Sequence, residues 1–223
     1  MARKSYRSQL DELRGEVLAM GETALERYDA AVEVLESGDY QRAEWIIEHD
    51  DELNQWYLDI EGQCIELLAL QQPVASDLRF IASSFKIVTD LERIGDLATN
   101  LARYGQNAEG ELLETVDIGP LTTTAGELVA ASLSAYERDD AAAARTTAAN
   151  DDELDSNCRE TSERIVRELI TSSQLDDVAV ESTLDDVSRA LLTVRDLERV
   201  GDHAVNICAR TLYMVENDDE LIY

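Results

Sequence analysis

Apolar residues recur along this chain at three- and four-residue intervals, and almost nowhere in the strict alternation of a half-buried strand. Leu10, Leu13, Val17, Met20, Ala24, Leu25, Tyr28, Val32 and Leu35 trace one helical face from about residue 8 to 35. Ser37-Gly38 ends it, because glycine adopts the left-handed backbone that closes a helix without a Cβ penalty. Asp39 then offers its carboxylate to the free amides of a second helix. That helix carries Trp45, Ile46, Leu53, Trp56, Tyr57, Ile60, Cys64 and Leu67 to about residue 70, where Gln71-Gln72-Pro73 breaks it. Ser76 or Asp77 is placed to cap a third, with Leu78, Ile81, Phe85, Val88, Leu91, Ile94, Ala98 and Leu101 on its apolar face.

A weakly patterned acidic segment, 105–119, closes at Pro120, a residue suited to a first helical turn. Three more helices follow, over about 121–137, 141–170 and 177–215, the last either continuous or broken near its start. Arg138-Asp139 repeats the turn-plus-cap role of Gly38-Asp39, and Asn217 to Glu220 reads as a solvated tail.

The second series is a copy of the first. Asp90-Leu91-Glu92-Arg93-Ile94-Gly95-Asp96-Leu97-Ala98-Thr99-Asn100 returns as Asp196-Leu197-Glu198-Arg199-Val200-Gly201-Asp202-His203-Ala204-Val205-Asn206, identical at eight of eleven positions. Asp50-Asp51-Glu52-Leu53-Asn54 is likewise echoed by Asp151-Asp152-Glu153-Leu154-Asp155. Two anchors at nearly constant offset mark an internal duplication. Neither copy is thick enough to bury its faces with fewer than three antiparallel helices. The expected fold is therefore all-α, two tandem three-helix bundles, with the repeats at 1–107 and 108–223.

Charge narrows the partners. Asp and Glu number 48 against 19 Lys and Arg, a net charge of −29. No basic stripe exists to displace phosphate counterions, so nucleic acid is not an expected partner, and anionic membrane surfaces are disfavoured. Such self-repulsion calls for screening, as in a cytoplasm of high ionic strength. Cys64, Cys158 and Cys208 sit far apart in apolar sequence and read as buried thiols in a reducing compartment. With no apolar signal core and no run of membrane-spanning length, the chain reads as cytoplasmic and not inserted in membrane.

The chemistry that remains is carboxylate chemistry. Glu92/Asp96 and Glu198/Asp202 lie four apart, one above the other on a helix, although opposite the apolar stripe. Asp50/Asn54 and Asp151/Asp155 supply a matching pair from the second helix of each copy, with Asp50 at the edge of its apolar face. Two carboxylates about 4 Å apart repel by about 4 kcal/mol at an effective dielectric near 20, and a bound cation removes that penalty. Hard oxygen donors without Cys or paired His suit Mg²⁺, Mn²⁺, Ca²⁺ or ferric iron better than copper or structural zinc. Gly95 and Gly201, each costing a mid-helix about 1 kcal/mol relative to Ala, point to close helix approach. His203 appears in one copy only and reads as a hydrogen-bonded or exposed side chain. No nucleophile elbow, phosphate loop or zinc-protease motif is present. A carboxylate-bridged metal enzyme, an oxidase or phosphohydrolase, is the alternative to a binding protein.

The repeated Asp-Leu-Glu-Arg-x-Gly-Asp motif, with Leu67 to Arg79 ahead of its first copy, resembles the PhoU family of phosphate-uptake regulators across essentially the whole chain. The resemblance implies tandem three-helix bundles that bind metal ions, iron first with Mn, Mg, Zn or Ca as alternatives. Its ligands would be Asp50, Asn54, Glu92 and Asp96 in one copy and Asp151, Asp155, Glu198 and Asp202 in the other. Asn54 stands where an Asp is expected, which implies a weaker first site. Gln174-Leu175-Asp176-Asp177 replaces the Gln-Gln-Pro-Val-Ala segment in the second copy. The resemblance further implies a homodimeric adaptor, not an enzyme. It would restrain uptake by contacting the ATPase of a phosphate ABC transporter and, in bacteria, a phosphate-sensing histidine kinase.

Overall fold

A computed structural model describes residues 2–71, 73–106, 116–171 and 177–222. Seven helices, and no strand, make up the described residues. They are α1 (Ala2–Ser37), α2 (Tyr40–Glu48), α3 (Asp50–Gln71), α4 (Ala75–Gln106), α5 (Gly119–Glu137), α6 (Ala141–Thr171) and α7 (Asp177–Glu216). The first copy is α1 to α4 and the second α5 to α7, so the tandem three-helix plan is present with one helix of the first copy broken. Most of the segment expected to be weakly patterned, 107–115, lies outside the described residues.

Local chemistry accounts for the boundaries. Gly38 takes φ +65°, and Asp39 Oδ1 accepts from the amides of Gln41 at 3.0 Å and Arg42 at 3.1 Å. The second copy repeats this one residue later than the sequence implies. Asp139 takes the left-handed φ of 52°, and Asp140 Oδ1 caps by accepting from the Ala143 amide at 2.9 Å. Aspartate tolerates that backbone better than most residues, and Asp139 is further held by the Arg14 guanidinium at 2.8 Å.

The structure departs from the sequence reading at three more places and decides a fourth. The expected second helix is interrupted at His49, whose backbone amide and Nδ1 both donate to the Trp45 carbonyl, at 3.2 and 2.8 Å, while its ring stacks on Trp45. Helix α4 begins at Ala75, so Ser76 and Asp77 lie in its first turn rather than capping it. Helix α7 runs unbroken from Asp177. The tail is pinned, because Arg145 pairs with Glu216 at 2.7 Å, Asp218 at 3.1 Å and Glu220 at 2.5 Å.

The two copies meet through equivalent helices, α1 against α5 and α4 against α7. At Gly21 a Cβ would stand 2.5 Å from Leu133 Cδ2. The Tyr28 hydroxyl donates to the Thr122 carbonyl at 2.7 Å, and the Tyr136 and Ser84 hydroxyls share a buried hydrogen bond of 2.8 Å. One apolar core runs through the seam, from Leu13, Met20 and Ile94 to Val129, Leu154 and Val200. Each fully buried aliphatic side chain there contributes about 1.5–3 kcal/mol. Helix α3 and helix α6 are left on the outside of their bundles, each packed along the third helix of its own copy. All three cysteines are free and buried, and burial pushes each thiol up to about 12. No helix among the described residues is long and apolar enough to cross a membrane.

Candidate metal centres

Glycine brings the acid-bearing helices together. A Cβ on Gly95 would stand 2.5 Å from Leu53 Cδ1, and one on Gly201 would stand 2.5 Å from Asp151 Oδ1 and 2.6 Å from Leu154 Cδ2. Leu53 and Leu154 are equivalent residues, so both copies use the same close approach. It draws Asp50 to α4 and Asp151 to α7, as the position of Asp50 at the edge of its apolar face implies.

In the first copy the gathered acids already have partners. Asp50 Oδ1 accepts from the Thr99 hydroxyl at 2.8 Å. Arg93 reaches both members of the helix pair, Glu92 at 3.4 Å and Asp96 at 3.1 Å. Glu92 is half-buried rather than outward-facing, with Asp50 of α3 and His203 of α7 both close enough to act on it. Burial raises its carboxyl above the usual range, as do Asp96 and Asp50, against the opposing pull of Arg93 and His203. Asn54 lies half-buried one turn beyond Asp50.

The second copy gathers the same residues and leaves them unneutralised. Burial, reinforced by Asp155, Asp202, Asp152 and Glu198, pushes Asp151 up to about 7. Glu198 is raised by burial and by Asp155 and Asp202, with Arg159 opposing. Asp202, at the exposed rim, is raised by partial burial and by Asp155, against His203 and Arg199. Oδ1 of Asp151 and Oδ1 of Asp155 are both shut off from solvent without a hydrogen-bond partner among the described residues. For Asp151 one substitution between the copies removes the donor, and Asp155 itself stands where the first copy has Asn54. Thr99, which donates to Asp50, corresponds to Val205, which has no donor. Two orphaned carboxylate oxygens in a cluster of four acids are what a cation would satisfy. The donor set therefore fits a hard metal ion in the second copy better than in the first. The acids are gathered but not closed: among the described residues, no three acid, imidazole or thiol groups already stand around one point as a ligand set.

Sequence reasoning missed the residues that tie the copies together at this level. Asp90 Oδ1 accepts from His203 Nδ1 at 2.9 Å and from Asn206 Nδ2 at 3.0 Å, across the α4–α7 seam. Its equivalent, the fully buried Asp196, accepts from the Tyr104 hydroxyl at 3.0 Å and from Arg195 at 2.8 Å. The signal was available, since this aspartate opens the repeated motif in both copies. His203, read as a lone hydrogen-bonded side chain, is one, and it stands near enough to Glu92 and Asp202 to lower both.

Comparison with known proteins places this geometry. The PhoU domain matches the chain twice, over residues 17–105 and 120–211. The chain belongs to the PhoU domain family. It is 35% identical over 218 residues to a phosphate-specific transport system accessory protein PhoU homolog of Clostridium acetobutylicum, covering 96% of each chain. With the accessory protein PhoU of Escherichia coli it shares 30% identity over 219 residues, covering 96% of this chain and 86% of that one. The crystal structure of PhoU from Pseudomonas aeruginosa superposes with a TM-score of 0.82 at 33% identity, over 96% of this chain and all of that one. The phosphate transport system regulatory protein PhoU of Streptococcus pneumoniae gives 0.82 at 28% identity.

Proposed function

We propose that this chain is a regulatory adaptor of phosphate transport, which restrains uptake by contact with the ATPase of a phosphate ABC transporter. The reading rests on near full-length likeness to proteins named as accessory to phosphate-specific transport. A phosphate-sensing histidine kinase is the second proposed partner, and the working unit is a homodimer in the cytoplasm, where the ATPase of such a transporter resides. Enzymatic turnover is no part of this reading, because the relatives carry the names of accessory proteins.

The adaptor binds metal ions, iron first, through Asp151, Asp155, Glu198 and Asp202, and more weakly through Asp50, Asn54, Glu92 and Asp96. The orphaned oxygens of Asp151 and Asp155 support this assignment. A bound ion supplies positive charge that relieves the repulsion among these carboxylates. With Asp151 and Asp155 on α6 and Glu198 and Asp202 on α7, loading would tie the outer helix of the second bundle to its third. Deleting the gene should raise phosphate accumulation in phosphate-rich medium. Unchanged uptake would end the regulatory reading, whatever the metal content.

A further inference from the structure

The start of α4, just after the Gln-Gln-Pro-Val-Ala stretch that the second copy lacks, is not used by the acid clusters. Its Ser76, Asp77 and Phe80 line a cavity of about 390 Å³ where α1, α4, the α5–α6 turn and the end of α7 converge. Leu10, Phe80 and Met214 supply its apolar surface. Arg14 forms one wall but carries no free charge. Its guanidinium donates to the Tyr136 carbonyl at 2.6 Å, pairs with Asp139 at 2.8 Å and lies over the Phe80 and Tyr136 rings at 4.8 and 5.1 Å. Asp11 and Asp77 also line the cavity, and neither pairs with a cation among the described residues. Beside Asp77 the surface turns apolar: Val74 is 60% exposed and Leu78 46%.

We infer that this cavity and its Val74/Leu78 rim dock a short segment of a partner protein that presents one arginine or lysine between aliphatic residues. The charge fixes the choice. Two unpaired carboxylates over an apolar floor would hold the stem of a long basic side chain against Leu10 and Phe80 while its head meets Asp11 and Asp77. The aliphatic neighbours of that side chain would cover Val74 and Leu78, which a protein this acidic otherwise leaves in water. A second copy of this chain is a poor occupant, since it brings the same negative charge to the contact. The inference deepens the adaptor reading and rests on it, but it does not depend on metal.

Fluorescence anisotropy with a labelled peptide carrying Leu-Arg-Leu, against the same peptide carrying citrulline for arginine, tests it on the full chain. The arginine peptide should bind the native protein more tightly, and Asp11→Asn/Asp77→Asn should weaken it by about tenfold, the product of two exposed charge pairs. Glu36→Gln/Glu127→Gln removes the same charge at exposed positions away from the cavity and should leave binding within about twofold. Leu78→Ala should weaken both peptides alike. Equal loss in the two charge variants would reduce the effect to general attraction by a polyanion and overturn the inference. Displacement of the peptide by one equivalent of spermine would overturn it in favour of a small-amine site. Because the readout is peptide binding, these failures are distinct from unchanged phosphate uptake, which would sink the adaptor reading itself.

Discussion

The two acid clusters share an ancestry and differ in who neutralises them. In the first copy Thr99 donates to Asp50, and Arg93 spans Glu92 and Asp96. In the second, Val205 replaces the hydroxyl, Arg199 forms no ion pair among the described residues, and Asp155 stands where the first copy has Asn54. The result is one cluster that closes on itself and one that keeps two oxygens without partners. The spacing of carboxylates on a helix is thus only half of what the proposed metal sites require. The other half is the absence of protein donors that would satisfy those oxygens first.

The sharpest way to break this contrast is to measure bound metal. Asp151→Ala/Asp155→Ala should lower affinity by about 100-fold or more, since losing a group that only orients a ligand already costs about 10–100-fold. Glu92→Ala/Asp96→Ala should remove only weakly held ions. Equal metal content in native protein and both variants, by elemental analysis after gel filtration, would dissolve the comparison.

Glycine offers a second handle. Gly201→Ala drives a methyl into Asp151 Oδ1 and Leu154, and should destabilise by about 2 kcal/mol, as overpacking does, while disturbing the site. Gly95→Ala meets only the end of Leu53, a flexible side chain, and gains helix propensity. Its melting temperature should change far less than that of Gly201→Ala, and an equal change would mean the two approaches are not tuned differently.

Acidity separates the copies as well. Asp151 binds its proton more tightly folded than unfolded, so its contribution to stability is full at low pH and is lost as pH rises from about 4 through about 7. Metal-free protein should therefore melt lower at pH 8 than at pH 5.5. The unscreened difference is about 2 kcal/mol, and solvent screening of a half-buried group brings it to about 1.5 kcal/mol or less. Excess Mn²⁺ should flatten the slope, and Asp151→Asn should abolish this part of it. An unaltered slope in Asp151→Asn would assign the effect to the chain's general charge.

The smallest expected effect is the most specific. Val205→Thr gives Asp151 the donor that Asp50 already has, and should weaken metal binding by about tenfold, the worth of one good hydrogen bond to a charged group. Thr99→Val should do the reverse in the first copy, and calorimetric titration of both would read it.

Much of this was legible in the chain. The three- and four-residue rhythm located the helices, Gly38-Asp39 marked a real stop and start, and the recurrence of Asp-Leu-Glu-Arg exposed the duplication. The glycines in that motif announced the close approach that carries Asp50 and Asp151 inward. What the chain concealed depends on neighbours distant in sequence. Glu92 looked solvated because nothing local reveals that α3 and α7 both pack along α4. Whether Asp139 or Asp140 caps α6 turns partly on Arg14, more than a hundred residues away. The interruption at His49 hinges on a side chain competing for a carbonyl within its own turn, a contest that periodicity does not register. The Thr99/Val205 difference was in plain view, yet its meaning needed the distance to Asp50.

The seam between the copies carries one more consequence. Since α1 faces α5 and α4 faces α7, each half offers the other the surface that the other offers it, as identical subunits do around a twofold axis. The polypeptide is in effect a dimer whose subunits have been spliced end to end. Being one chain, the two halves meet at an effective concentration on the order of millimolar. Freed from the requirement to be identical, the two spliced subunits can differ, and here one shields its carboxylates while its sibling leaves two oxygens without partners.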